Sequence, residues 1–284
     1  MKFIDTHAHV NFHHFKEDGD EVIKRALDHE TNMVLVGSEF RTSKRGLEYA
    51  NKYEKGVYSA VGLHPIHLEN VPIKEENDSE FITRAEEFNY DNYEKLARME
   101  KVVAVGEIGL DYNYINKVSP EAKKIKKKQK EALLEQLFLA RDLELPAIIH
   151  CRVAHIDLFQ ILKDFKEKNK HFIPSDEPWG VIHCFSGDED LAWEYFNLGL
   201  MISFTGLITF SKQWDDLIRK MPRDRFMIET DCPYMTPEPY RGKRNEPVLV
   251  RYVAQRIAEI RKTSLEKVAE ISTANAGHFF DING

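Results

Sequence analysis

The stretch VVAVGEIGLDY at 102–112, followed by EAKKIKKKQKEALLEQLFLARDL at 121–143 and PAIIH at 146–150, decides the fold. The outer segments are short Val- and Ile-rich runs bounded by Gly or Pro, as parallel strands covered on both faces should be. The middle segment is patterned as a helix, with Ser119 as N-cap and Pro120 in its first turn. Strand, helix, strand is the repeating unit of a parallel sheet. The same alternation continues outward in both directions. Apolar runs fall at Phe3-Ile4, 33–37 (MVLVG), 57–62 (VYSAVG), 102–106, 146–150, 180–184 (GVIHC), 200–204 (LMISF) and 226–230 (FMIET). Further helical patterns close the chain at 246–260 and 264–281. Eight strands, each followed by a helix, predict an α/β fold of the parallel (β/α)8 TIM-barrel type rather than an open sheet.

One such barrel takes about 250 residues, so the 284 residues are expected to form a single domain, 1–284. Two stretches are long for plain connections. One is 66–98, acidic, with a helix expected inside it; the other is 167–179, containing Pro174 and Pro178. Both read as surface elaborations. With 42% hydrophobic residues the chain can fill a full core without a staple. Its formal net charge of -7 argues against wrapping a long duplex, because strong nonspecific nucleic-acid binders are usually basic. Contact with a strand end needs only a few positive groups. Cys151, Cys184 and Cys232 are widely spaced and odd in number, which argues against a disulfide framework. The opening MKFIDTHAH reads as a strand, not a signal core, and no run of about 18 apolar residues occurs. No membrane span is expected, and a cytoplasmic location is the default.

Metal-competent residues recur at the C-terminal ends of the expected strands, the face where barrels of this type build active sites. The first strand ends in His7-Ala8-His9; residues two apart share a side, so both imidazoles face the mouth, with Asp5 deeper at the same parity. The third strand runs into His64. The fourth places Glu107 directly after Val-Val-Ala-Val-Gly, where a carboxylate needs a cation, either a metal or a buried Arg. The fifth and sixth deliver His150 and His183, and the eighth delivers Glu229 and Asp231. A single histidine is more often a satisfied core residue; the whole set at strand ends points to a metal centre of mixed N/O ligation. The cysteines each follow one of these residues, so alternation sends their thiols toward the helices, and structural burial is favoured over thiolate ligation. The loop PYRGKRNEP at 239–247 has two open readings. It is either a solvated basic loop before a helix or a phosphate contact. KKIKKKQK at 123–130 reads as a solvated helix face, with a role in nucleic-acid binding or sorting as the alternative.

FIDTHAHV, VGLHP, VGEIGLDY, PAIIHCR, GVIHCFSG and ETDCPYMTP followed by PYRGKRNEP together resemble the TatD-type deoxyribonucleases of the amidohydrolase superfamily. The resemblance runs in order along nearly the whole chain. It implies two divalent metal ions, of the Mg, Mn, Zn, Co or Fe kind. His7, His9, Glu107 and Asp231 would hold one; Glu107, bridging, would share the second with His150 and His183. It also implies phosphodiester hydrolysis with a 3′→5′ exonuclease mode, DNA as partner, Asp231 as general base and His64 against substrate. Arg152, Arg241 and Arg244 are candidate substrate contacts, and Glu229 a support for the ligands. Two competing readings are a hydrolase of small amides, esters or lactones on the same scaffold and a non-catalytic metal-binding protein. The complete ligand set disfavours the latter. Cys151, Cys232 and the length of 66–98 depart from the family pattern, which touches substrate choice.

Overall fold

The computed structural model describes residues 2–74, 80–116, 118–173 and 177–282. Each of the expected apolar runs becomes a strand. In chain order these are β1 (Phe3–Ala8), β2 (Thr31–Val36), β3 (Val57–Val61), then a small hairpin β4 (Pro72–Lys74) and β5 (Glu80–Ile82). They continue with β6 (Val102–Asp111), β7 (Ala147–Arg152), β8 (Gly180–Ile182), β9 (Leu200–Phe204) and β10 (Phe226–Ile228). The helices are α1 (Gly19–Asp28), α2 (Phe40–Ala50), α3 (Tyr90–Ala97), α4 (Ala122–Asp142), α5 (His155–Lys168), α6 (Glu189–Asn197), α7 (Asp215–Lys220), α8 (Val250–Arg261) and α9 (Leu265–Phe279).

Eight parallel strands pair in the order β1-β2-β3-β6-β7-β8-β9-β10, a TIM barrel. The seam between β10 and β1 closes by different means along its length. At the mouth, Asp231 N donates to His7 O and His9 N donates to Cys232 O, both at 2.9 Å. Deeper down side chains replace the ladder. The Asp5 carboxylate accepts from Thr230 N at 2.8 Å and from the Thr230 hydroxyl, and Thr6 Oγ1 donates to Ile228 O at 3.1 Å.

Interior side chains from successive strands, including Ile4, Val34, Ala60, Ala104, Ile148, Val181, Met201 and Met227, form one cluster with Phe279 at the end of α9 and Phe280 and Ile282 beyond it. The C-terminal segment thus belongs to the barrel's own core. A larger cluster of Leu, Ile, Val and Phe side chains lies between strands and helices. Each fully buried side chain of that kind contributes about 1.5–3 kcal/mol.

Two irregularities aim residues into that mouth. The β1–β2 register shifts between Asp5 and Ala8, and the β6–β7 register shifts between Val105 and Ile108. The second shift lets β6 continue to Asp111, well past the expected end at 106, pairing Asp111 with Arg152. Gly109 makes this possible: its φ is +150°, and a Cβ there would stand 2.0 Å from His150 O.

The 66–98 elaboration contains the hairpin and the expected helix, α3, whose Tyr93 is buried against Phe40 and Phe88. Residues 75–79 of it lie outside the described residues, as does Pro174 of the second elaboration. Ser119 caps one turn ahead of α4: its hydroxyl accepts from Glu121 N at 3.2 Å, and the helix proper starts at Ala122. Among the described residues no helix is long and apolar enough to cross a membrane.

Candidate metal centre

His7, His9, His64, Glu107, His150, His183 and Asp231 converge at the mouth, with Glu107 in the middle. Glu107 is 4% exposed, so its charge is answered by neighbours rather than by water. Its two oxygens face different groups. Oε2 lies 3.5 Å from His7 Nε2 and 3.7 Å from His9 Nε2. Asp231 Oδ1 completes that side, 3.4 Å from His9 Nε2 and 3.9 Å from His7 Nε2. Oε1 lies 2.8 Å from both His150 Nδ1 and His183 Nε2, and 3.3 Å from His64 Nε2. The donor atoms of His7, His9 and Glu107 fall within 4.8 Å of one another, as do those of His64, Glu107 and His150.

In His9, His64, His150 and His183 the far nitrogen has a neighbour that fixes which nitrogen faces the centre. His9 Nδ1 sits 2.9 Å from Val36 O, a pure acceptor, so Nδ1 carries the proton and Nε2 presents a lone pair. His183 Nδ1 lies 3.2 Å from Glu229 Oε1. Glu229 is itself held by Cys184 N at 2.7 Å and Ser203 Oγ at 2.6 Å, so the expected support role fits its position. His150 Nε2 lies 3.3 Å from Asp111 Oδ2, leaving Nδ1 toward Glu107. His64 is the exception: its Nδ1 accepts from Ile66 N at 3.1 Å, so its Nε2 bears the proton and points inward as a donor.

This set fits divalent cations. An imidazole lone pair and a carboxylate oxygen 2.8 Å apart, as at His183 and His150, repel unless a proton or a metal ion lies between them. Protons can answer that need. Burial alone would raise the Glu107 carboxyl, but His64, His183 and His150 reverse this and hold it well below the usual range. Burial opposes a charge on His183, yet Glu107 and Glu229 hold its pKa well above the ordinary imidazole value. His150 is raised too, against its burial, by Asp111 and Glu107. His7 goes the other way, pushed down to about 3 by burial and by His183. A buried carboxylate among five imidazoles is thus a ready cation cradle of mixed N/O chemistry. Replacing Glu229 by Gln is expected to weaken divalent-cation affinity by about 10- to 100-fold with the fold intact. Calorimetric titration reads the first and circular dichroism the second; unchanged affinity would show that His183 needs no such partner.

Several expectations are corrected. Asp5 does not share the orientation of His7 and His9, because the register shift in β1 intervenes; it closes the barrel seam instead. Arg244, a candidate substrate contact, has partners within the chain. Its guanidinium is engaged by Asp18, with one contact at 3.0 Å, by His14 O at 2.8 Å and by Glu246, pinning the loop to the start of α1. Cys184 does not turn toward a helix: the chain leaves extended conformation there, with φ at +45°, and its Sγ lies 3.7 Å from Thr205 Oγ1. Cys151 and Cys232 are buried as expected, and burial pushes the Cys151 thiol up to about 12. Arg241 stacks over the half-exposed ring of Phe210 at 3.8 Å, and Arg152 stands over Tyr114 at the rim. Sequence reasoning assigned no role to Asp111, although Glu107 and Asp111 lie four apart on one strand and so share a face.

An eight-stranded parallel barrel with histidine and carboxylate clusters at its mouth defines the class, a metal-dependent hydrolase. The family model described as TatD related DNase matches residues 4–281, and the chain belongs to this family. A Bacillus subtilis protein named uncharacterized metal-dependent hydrolase YabD is 38% identical, covering 98% of this chain and 99% of its own length. A Cronobacter sakazakii protein named 3′-5′ ssDNA/RNA exonuclease TatD is 30% identical, covering 97% of each chain. Among solved structures, the TatD homologue YJJV from Escherichia coli has a TM-score of 0.80 at 30% identity, covering 99% of this chain and 98% of its own.

Proposed function

We propose that this hydrolase cleaves phosphodiester bonds of nucleic acid, working from strand ends in the 3′→5′ direction with two divalent cations. The observation that carries the reading is Glu107, whose two oxygens face separate donor groups. His7, His9, Glu107 and Asp231 would hold one cation, and Glu107, His150 and His183 the other. Bound there, such cations would supply Lewis-acid chemistry, activating water and stabilising charge on a phosphoryl group. Asp231 is the more open of the two carboxylates, at 13% side-chain exposure against 6% for Glu107. It would accept the proton of an attacking water as general base. His64 stays neutral, since burial lowers its pKa, and its Nε2 proton is available to a phosphate oxygen. The name of the Cronobacter relative supports a nucleic-acid substrate.

The test is a substrate panel. Metal-stripped protein is restored separately with Mg, Mn, Co or Zn and given 5′-labelled single- and double-stranded DNA beside amides, esters and lactones. A ladder of shortened DNA supports the reading. No DNA product with any metal, together with turnover of an amide, ester or lactone, overturns it.

The electrostatics add a pH prediction. His150 and His183 hold their protons above the ordinary imidazole range in the bare site. A ligating imidazole must be neutral, so cation binding expels those protons. Apparent metal affinity is therefore expected to rise with pH until the raised values are passed, and to fall as pH drops. Calorimetry in buffers of different ionisation heat should find proton release at pH near 7; zero release would contradict the account.

A further inference from the structure

The lysine run at 123–130 has no part in the metal chemistry, yet its position is unusual. The first turn of α4 carries no acidic side chain, and Lys123 and Lys124 occupy it, both exposed. Cations there oppose the helix dipole, whose positive end favours acidic groups. Lys123, Lys126, Lys127 and Lys130 fall at i, i+3, i+4 and i+7, one face of the helix. Two contacts aim that face at the barrel mouth. Lys126 Nζ stands 4.3 Å over the Tyr112 ring, and Lys130 Nζ lies 2.8 Å from Asp157 Oδ2, in the first turn of α5. Gln129 ties the same part of α4 to the end of β6, bonding Asp111 N and O at 2.9 Å each. Asp111 touches His150, so the basic face begins beside the metal centre. Next to it Tyr114 is 37% exposed and carries the Arg152 guanidinium 5.5 Å over its ring.

We propose that Lys123, Lys126 and Lys127 of α4, with Tyr114 and Arg152, bind a single-stranded polynucleotide beyond the phosphate being cut. The inference rests on the phosphodiesterase reading and names the part of the substrate held outside the centre. Lysines follow the phosphates, and Tyr114 takes one base face. A cationic lane with an exposed ring fits an unpaired strand, whose bases are free to stack; in a duplex those faces are covered. The net charge of -7 confines such attraction to a local lane of this kind.

The experiment measures anisotropy of a fluorescein-labelled phosphorothioate oligothymidylate with the metal-loaded protein across a salt series. The combined variant Lys123→Gln, Lys126→Gln, Lys127→Gln is expected to bind about 10- to 100-fold more weakly, with a log-log salt slope shallower by about 2, as befits the loss of three phosphate contacts on a single strand. Tyr114→Ala is expected to lose about tenfold in affinity with the slope unchanged. The lysine variant should melt no lower than the parent, because it relieves the dipole; should it fail to fold, Tyr114→Ala and Arg152→Gln decide. Parental affinity and slope in the variants, or no binding by the parent, overturns the inference. DNA cleavage alongside unaffected binding in the variants would remove the inference alone. Binding through these residues without cleavage would remove the phosphodiesterase reading alone.

Discussion

Replacing Glu107 by Gln is expected to strip the centre of divalent cation and to lower kcat/KM by at least about 1,000-fold, since each factor of ten corresponds to about 1.36 kcal/mol and metal activation supplies several kcal/mol. The variant keeps the shape of the side chain and removes the charge. Glu107 stands between the two sets of imidazoles, 2.8 Å from His150 and His183 on one side and 3.5 Å from His7 on the other. His64, His183 and His150 hold its carboxyl well below the usual range against its burial, which favours the ionised form. An uncharged amide offers one weak acceptor where two cations need a shared carboxylate. Elemental analysis after dialysis reads the metal content, and hydrolysis is assayed in parallel. Retention of both metals with activity near the parental level would remove Glu107 from its bridging place.

Asp5→Ala is expected to cost about 3–5 kcal/mol of stability, because buried donors left without an acceptor each cost about 1–3 kcal/mol. The Asp5 carboxylate is fully buried and accepts from Thr230 N at 2.8 Å, from the Thr230 hydroxyl and from His7 N at 3.3 Å. It thereby joins the first and last strands where the backbone ladder is missing. At this chain length each kcal/mol moves Tm by about 2–4 °C, so a drop of roughly 6–20 °C is expected by calorimetry. Asp5→Asn should be milder, since the amide keeps an acceptor oxygen and burial already pushes the Asp5 carboxyl well up, toward the neutral form. Equal stability of Asp5→Ala and the parent would show that the seam closes without this side chain.

The strand positions and the convergence of His7, His9, His64, Glu107, His150, His183 and Asp231 were legible because both depend on local signals. Apolar runs mark strands, and a polar residue at each strand's end marks the mouth. What stayed hidden depends on register and on distant partners. Alternation along β1 assigned Asp5 to the ligand side, but the shift between Asp5 and Ala8 breaks the period of two. The same shift in β6 carries the strand on to Asp111, whose carboxylate then meets His150. Cys184 escaped the alternation because its left-handed backbone ends the strand pattern. Arg244 looked free in the loop at 239–247 because nothing local reveals Asp18, which lies 226 residues away in the chain.

The most direct test titrates metal-stripped protein with Mn²⁺ while following shortening of a 5′-labelled single-stranded oligonucleotide. The account predicts no cleavage in the stripped protein and a rise in rate that saturates once two equivalents are bound per chain. Full cleavage without metal, or none at any metal load, would contradict it.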